Sequence, residues 1–336
     1  MKRYNVAILG ATGAVGREML KVLEEIDFPL ASLTLLASKN SVGKSLFYKG
    51  KQIKVREATH DAFKGIDIVL GASGNAVAKE FARDIVGSGA LFIDNSSAFR
   101  MDKDVPLVIP EINPFDIKGH HGIISNPNCS TIITLLAVYP LFRLSPIKAM
   151  IASTYQAVSG AGAKGPIELE REMKEEIEGK EHVPEVFLYP IVSNLIPHIG
   201  SFDEEGYTSE ENKMQNEGRK ILHCPELKVT CTCVRVPVKR SHCISVTVLT
   251  EKPLSLEEVR EAMESQEGLR LYDDISKNEY PMPLITSDQD LVYVGRIRKD
   301  RVFDNGISLW CSGDQVRKGA ATNAVMIAMK WVEINA

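Results

Sequence analysis

A short apolar run, Asn5-Val6-Ala7-Ile8-Leu9, passes directly into Gly10-Ala11-Thr12-Gly13-Ala14-Val15-Gly16 and then into residues 17–25, where Met19, Leu20 and Leu23 recur at helix spacing. A strand that turns through glycines into a helix aims the helix's first N–H groups into the turn, which is how a pyrophosphate is held. Gly10 permits the tight turn, Gly13 lets backbone approach the ligand, and Gly16 lets the helix pack closely on the strand. The spacing is G-x-x-G-x-x-G rather than the commoner G-x-G-x-x-G, so the strand and helix on either side carry the reading. It predicts a dinucleotide site on a Rossmann-type, doubly wound parallel sheet.

The strand-like residues 32–36 bear on which dinucleotide. An NAD site places Asp or Glu near the end of this strand, where it binds the ribose 2′-hydroxyl. Here the end reads Ala37-Ser38-Lys39-Asn40-Ser41-Val42-Gly43-Lys44. Hydroxyls and two lysines suit a 2′-phosphate and predict NADP; the same residues also fit a solvated polar loop. Further strands are expected at residues 66–70, 91–94 and 107–109. Gly71-Ala72-Ser73-Gly74 closes one of them, at the sheet edge where cofactors lie.

At 336 residues the chain has room for two domains, each with its own core. A net charge of −4 gives no electrostatic reason for nucleic acid or an anionic membrane as partner. No stretch is long and apolar enough to span a bilayer, and Met1-Lys2-Arg3-Tyr4 leads straight into a strand with no signal peptide, so a cytoplasmic protein is expected. In that compartment the six cysteines read as thiols. Cys231 and Cys233 alternate onto one face of a strand, and no second ligand pair stands at zinc spacing, so no metal is expected.

Ser125-Asn126-Pro127-Asn128-Cys129-Ser130-Thr131 places a cysteine where a helix begins. Turn and cap residues precede it, and Ile132, Ile133, Leu135, Leu136, Ala137 and Val138 follow at the spacing of a buried helix face. Unpaired N–H groups and the positive end of the helix dipole favour the thiolate there, the form that attacks carbon. A buried, inert structural cysteine is the alternative for this position taken alone.

The second half offers other chemical groups. A strand-like run from residue 149 ends in Tyr155-Gln156-Ala157-Val158-Ser159-Gly160-Ala161-Gly162, a glycine-rich turn open to a ligand or simply a loop. Residues 168–178 read as a charged, solvated helix. Thr208 and Glu211 stand at capping-box spacing. Glu210 and Lys213 share a helix face, to serve a ligand or to pair with each other. Arg235 can hold a carboxylate bidentately, and His242 can move a proton near neutral pH. Their separation of seven would point them to opposite faces of an unbroken strand, so they meet only if the chain bends, and Pro237 lies between them. Gly313 to Asn323 precedes a last helix that completes a core or returns to cover the first domain.

Taken in order, Gly10 to Gly16, Ser96 to Arg100, Asn126 to Thr131, Tyr155 to Gly162, Glu210 to Met214, Arg235 to His242 and Gly313 to Asn323 resemble aspartate-β-semialdehyde dehydrogenase over nearly the whole chain. The resemblance implies NADPH-dependent reduction of aspartyl-4-phosphate to aspartate semialdehyde and phosphate, on the way to lysine (through diaminopimelate), threonine and methionine. It implies Cys129 as the nucleophile that forms a thioester, Gln156 as the group orienting it, and His242 as general acid/base. Arg235 would grip the α-carboxylate, Glu210 the α-amino group, and Arg100, Asn128 and Lys213 the phosphate. Gly10, Thr12, Gly13, Ala14, Val15, Ser38 and Ser41 would hold NADP, with Ser159 and Gly160 on the later turn and Asn323 near the nicotinamide. The implied architecture is an NADP-binding domain of residues 1–128 and 317–336 and an α+β catalytic and dimerisation domain of residues 129–316 with a mixed or antiparallel sheet, as a homodimer or a dimer of dimers.

Two positions depart from the family pattern. Lys39 and Asn40 stand where many members carry an arginine, which weakens the NADP preference, and Cys243 stands where many carry serine, a thiol open to oxidation. The nearest rivals are N-acetylglutamyl-phosphate reductase and malonyl-CoA reductase, which the Glu210 and Arg235 pair argues against, and a catalytically silent NADP-binding scaffold, which has no need of Cys129, Gln156 and His242 together.

Overall fold

The computed structural model describes residues 2–335. Of these, residues 2–128 with 320–335 form one compact unit and residues 129–319 another. Residues 317–319 fall in the second unit rather than the first, where Gly319 packs against Cys129.

The first unit runs β1 (Tyr4–Leu9), α1 (Ala14–Glu25), β2 (Leu30–Ala37), β3 (Ser45–Tyr48), β4 (Lys51–Glu57), β5 (Ile68–Gly71), α2 (Asn75–Gly87), β6 (Leu91–Asp94) and β7 (Ile123–Ser125). The sheet order is β3-β4-β2-β1-β5-β6-β7, parallel except where β3 pairs antiparallel with β4 at the edge. This is the expected Rossmann-type sheet. Its inner strands are apolar on both faces because helices cover both. Val6, Ile8, Ile68, Leu70 and Ile93 point to the side of α1, while Ala7, Leu9, Val69 and Phe92 point to Ala78, Phe81 and Ile85 of α2.

The second unit runs α3 (Cys129–Leu144), β8 (Ile147–Ala157), α4 (Lys164–Ile177), α5 (Ser209–Ile221), β9 (Lys228–Val236), β10 (His242–Thr250), α6 (Leu256–Glu264), β11 (Leu269–Leu271), α7 (Pro283–Thr286), β12 (Val292–Lys299) and β13 (Gly306–Gly313). Its mixed sheet has the order β11-β12-β13-β10-β8-β9. β9 is parallel to β8, and β10 antiparallel to it. α3 lies between this sheet and helices α5 and α6, so Ser130 to Val138 are buried on every side, not along the single face their spacing predicts. The chain then returns to the first unit as α8 (Thr322–Ile334), whose Ala324, Val325, Ile327, Ala328 and Val332 join the core beside α1. No helix among the described residues is long and apolar enough to cross a membrane.

Two local expectations need correction, and one hairpin was not read from the sequence. Residues 107–109 form an isolated bridge, Leu107 to Ser125, and not a strand. Pro106 and Pro110 bracket the segment, and the Asn113 side chain takes up the Ile109 N–H. The β3–β4 hairpin escapes a reading by periodicity, although its turn residues Lys49 (φ 47°) and Gly50 (φ 73°) both adopt the positive φ that a tight hairpin demands. Finally, α4 is not simply solvated. Glu168 and Glu172 are buried and turn inward.

Candidate active site

The second unit gathers most of its candidate groups at the end of β8. In the β8–β9 register Gln156 stands beside Arg235. On the other flank Tyr155 pairs with Cys243, which puts His242 next to Gln156 in the same row. The chain reaches from Arg235 to His242 by crossing over the end of β8. Residues 237–241 make that crossing, fastened by Val158 N–H to Val238 O (2.8 Å) and Ser159 N–H to Lys239 O (3.3 Å). Ser241, at φ 72°, delivers the chain into β10. The bend thus brings two residues of odd separation together. A methyl group at Gly160 would lie 2.6 Å from Arg235 Nη1 and 3.3 Å from His242 Nε2, so any side chain there would press on both groups where they converge.

His242 is fully buried. The Ala157 N–H donates to its Nδ1 at 3.1 Å, so the neutral ring carries its proton on Nε2, and Nε2 has no hydrogen-bond partner. Burial above all, and then the nearby Arg235, lowers its pKa to about 3, with Glu210 opposing. Arg235 donates from Nη1 to Ala157 O (2.7 Å), and the Phe187 ring lies 5.9 Å from its guanidinium. Burial lowers the Arg235 pKa, while Glu210, Cys129 and Cys233 pull it back up. Gln156 donates from Nε2 to Glu210 Oε1 and to Thr154 Oγ1, both at 3.3 Å. Glu210 also accepts from Lys213 Nζ at 2.9 Å, so the pair on α5 both meets internally and reaches the Gln156 row. The Thr208–Glu211 capping box that starts α5 is formed, and Glu211 further accepts the Cys233 N–H (2.9 Å).

Cys129 opens α3 and is partly exposed. The backbone of Gly319 presses on it, leaving only 2.8 Å between a methyl group there and Cys129 Cβ. Cys243 is buried and donates to Ser312 Oγ (3.3 Å), and burial pushes its thiol up to about 11, against the expectation of an oxidisable site. The Cys231 and Cys233 sulfurs lie 3.7 Å apart on their shared face, both buried. No group of His, Cys, Asp and Glu among the described residues could hold a metal ion.

In the first unit the glycine turn is built closely. A methyl group at Gly10 (φ 90°) would come within 2.7 Å of Ala72 O, and one at Gly16 within 2.4 Å of Gly10 O. Gly13 caps α1 and, having no side chain, leaves the N–H groups of Ala14, Val15 and Gly16 to a ligand or solvent. Thr12 Oγ1 and Ser41 Oγ are 3.3 Å apart, which places the loop after β2 beside this turn, with Ser38 at the start of the loop's short helix. Ser73 Oγ, next to Ala72, and the Oδ1 of Asn323 are buried without partners. Asn323 spends its Nδ2 on Val108 O (3.0 Å) and Asn126 Oδ1 (2.7 Å), which leaves Oδ1 as an acceptor for a ligand amide. The close glycine turn and these orphaned polar atoms fit a nicotinamide dinucleotide. Arg100 and Asn128 also belong to this unit, both buried; Arg100 donates from Nη2 to Asn95 O at 2.9 Å.

Glu168, Glu172, Phe187 and Gln315 were not singled out from the sequence. Glu168 accepts the N–H groups of Glu185, Val186 and Phe187 (2.9, 2.6 and 3.2 Å), and Glu172 those of Ile191 and Val192 (2.8 and 3.0 Å). They fasten the loop that carries Phe187 to Arg235. Gln315 lies inside the Gly313 to Asn323 segment, whose glycines and charges mark it as irregular without saying what it grips.

Residues 5–120 match the family model described as the semialdehyde dehydrogenase NAD binding domain, and residues 138–318 the one described as its dimerisation domain. The chain is 52% identical over 330 residues to the aspartate-semialdehyde dehydrogenase of Aquifex aeolicus, covering 97% of each chain, and 43% identical over 339 residues to that of Bacillus subtilis, covering 98% of each. The crystal structure of aspartate semialdehyde dehydrogenase II from Vibrio cholerae, complexed with ASA, matches with a TM-score of 0.97 at 40% identity over 99% of both chains. The chain belongs to the aspartate-semialdehyde dehydrogenases, a family of oxidoreductases that work with a nicotinamide cofactor.

Proposed function

We propose that the protein reversibly reduces L-aspartyl-4-phosphate to L-aspartate-4-semialdehyde and phosphate with NADPH, through a thioester on Cys129, in the cytoplasmic synthesis of lysine, threonine and methionine. The observation that carries this reading is the row Arg235–Gln156–His242, whose two outer members meet at Gly160 while Gln156 bonds Glu210. A carboxylate-binding guanidinium, an ammonium-binding carboxylate and a proton-handling imidazole in one row suit an amino acid whose side-chain carbonyl reacts.

In the forward direction Cys129 sulfur attacks the acyl carbon, the carbonyl oxygen takes up the charge, and phosphate leaves as the thioester forms. Gln156 orients the acyl group, Arg235 holds the α-carboxylate and Glu210 the α-ammonium. Lys213 supplies a cation for the phosphoryl group. Arg100 and Asn128 are proposed as anion-binding groups of the first unit. A reduced nicotinamide held by the residues named below would supply hydride to the thioester carbon, leaving a thiohemiacetal on Cys129. His242 offers Nε2–H to the oxygen on which charge develops. To act as base it must give up the Ala157 N–H and move its proton to Nδ1. The thiohemiacetal then releases the aldehyde and the cysteine. NADP rather than NAD is proposed because Ser38, Lys39, Ser41 and Lys44 follow β2 where an NAD site carries an acid. Gly10, Thr12, Gly13, Ala14, Val15 and Asn323 are proposed to hold this cofactor, and Ser159 and Gly160 to meet it. The working form is proposed as a homodimer or a pair of dimers.

The test is NADP reduction by the purified protein given L-aspartate-4-semialdehyde, with and without phosphate, beside Cys129→Ala. Phosphate-dependent reduction that disappears in the variant supports both the reaction and the nucleophile. A protein that binds NADP but reduces none of it rules the reaction out.

A further inference from the structure

We propose that Asp290 is a positioning residue for Cys129: its carboxylate grips Arg317 and so fixes the turn whose Gly319 backbone lies on the first side-chain carbon of the cysteine. The proposal rests on the reading of Cys129 as the nucleophile. Arg317 donates from Nε to Asp290 Oδ1 at 3.0 Å and from Nη2 to Asp290 Oδ2 at 2.7 Å. Two parallel bonds of this kind set direction as well as distance. The Arg317 side chain is 3% exposed and that of Asp290 44%, so the carboxylate reaches in from a loop to a buried cation.

That loop is itself held. It follows α7, with the Gln289 N–H on Thr286 O (3.3 Å) and Arg240 Nη1 on Asp288 Oδ1 (2.9 Å). The fully buried Asp314 joins it to the turn. Its Oδ2 accepts the Asp288 N–H at 2.7 Å, and its Oδ1 accepts the N–H groups of Val316 and Arg317 at 2.8 and 3.1 Å. Asp314 O accepts the Gly319 N–H at 3.0 Å. Residues 317–321 then make a single π-helical turn, a rare winding that outside contacts sustain. Arg317 is thus tied through its main chain by Asp314 and through its side chain by Asp290, and Gly319 stands two residues further on. A methyl group at Gly319 would lie 2.8 Å from Cys129 Cβ and 3.2 Å from Cys129 Cα, so the turn walls one side of the cysteine. A wall at Cβ restricts the staggered positions open to the sulfur. The clamp therefore acts on the direction of the thiol.

Asp290→Ala leaves the guanidinium of Arg317 buried without this carboxylate, which lets the turn shift and the sulfur leave its line of attack. A misaimed nucleophile slows the chemical step and spares binding. The variant is expected to lower kcat for phosphate-dependent NADP reduction by about 10- to 50-fold, with the KM for semialdehyde and the dissociation constant for NADP each within about threefold of the parent. Alkylation of Cys129 by iodoacetamide, a reagent that meets an accessible sulfur from many directions, is expected to stay within about threefold as well. Asp290→Glu keeps both acceptor oxygens and is expected to recover part of the lost rate. Asp290→Asn, which keeps the shape and one acceptor, is read in place of the alanine variant if that one does not fold. Gly319→Ala presses on Cys129 directly and lowers kcat by itself. Adding Asp290→Ala to it is expected to cost less than about threefold more, because the clamp acts through that contact. Arg317→Lys keeps the charge and loses the paired bonds, and is expected to lower kcat to the same order as Asp290→Ala, a comparison that stands if Gly319→Ala does not fold. An unchanged kcat in Asp290→Ala, a loss confined to KM or to NADP affinity, or fully additive losses with Gly319→Ala would overturn the proposal. A Cys129→Ala protein as active as the parent would instead overturn the role of Cys129 itself.

Discussion

Ala157 donates its backbone N–H to His242 Nδ1 across 3.1 Å, and this bond decides which ring nitrogen is left without a partner. Protonating Nδ1 would set two donors against each other, and burial already penalises the cation, so the ring stays neutral with its proton on Nε2. Nitrogen-15 spectra of the ring are expected to show the Nε2-protonated neutral form from pH 8 down to pH 5. An imidazolium signal at pH 6 would contradict the assignment.

The same bond gives stability a pH dependence. On folding, the pKa of His242 falls from 6.5 to about 3, so between these values the unfolded chain binds the extra proton. The contribution of the neutral ring is complete above pH 6.5 and is lost as the pH drops towards 3, by up to about 1.4 kcal/mol per unit. Urea unfolding at pH 7 and pH 5 is expected to show a smaller drop for His242→Gln than for the parent protein.

Arg235, set by Ala157 O and the Phe187 ring, presents a planar guanidinium, which in the proposed reaction holds the substrate carboxylate. Lysine keeps the charge and loses the fork. Arg235→Lys is expected to lower kcat/KM for semialdehyde by roughly 100-fold, about 2.7 kcal/mol, mainly through KM, as steady-state kinetics would record.

Glu168 and Glu172 together accept five backbone N–H groups of the loop that carries Phe187. At 168 glutamine keeps one acceptor oxygen and places a donor against the N–H groups on the other; at 172, where both N–H groups meet Oε2, it replaces a charged acceptor by a weaker neutral one. Each substitution is expected to cost about 1–3 kcal/mol of stability and to speed amide exchange at residues 185–187 or 191–192 respectively.

In the loop after β2, Ser38→Asp introduces the acid that this chain lacks there. The ratio of kcat/KM for NADP over NAD is expected to fall at least 10-fold. An unchanged ratio would show that the cofactor's 2′ position lies elsewhere.

Much of the fold was legible from local pattern. Gly10, Gly13 and Gly16 between an apolar strand and an amphipathic helix announce the first sheet, and Asn128 followed by an apolar run announces the start of α3 at Cys129. The site was less so, because its geometry is made by register between distant strands. Nothing in the sequence says that Arg235 and His242 flank Gln156. That follows from β9 and β10 lying on opposite sides of β8, with a crossover whose Ser241 takes a left-handed φ. Glu168 and Glu172 misled for a related reason. A helix rich in charge reads as solvated, and only the loop returning over it reveals that two of its carboxylates satisfy buried amides.

The thioester on Cys129 is tested most directly by intact-protein mass spectrometry after mixing the protein with L-aspartate-4-semialdehyde and NADP in the absence of phosphate. The expected result is a single aspartyl adduct that maps to Cys129, disappears on adding phosphate, and is absent from Cys129→Ala. NADPH formation with no adduct, at a rate that Cys129→Ala matches, would contradict covalent catalysis by this cysteine.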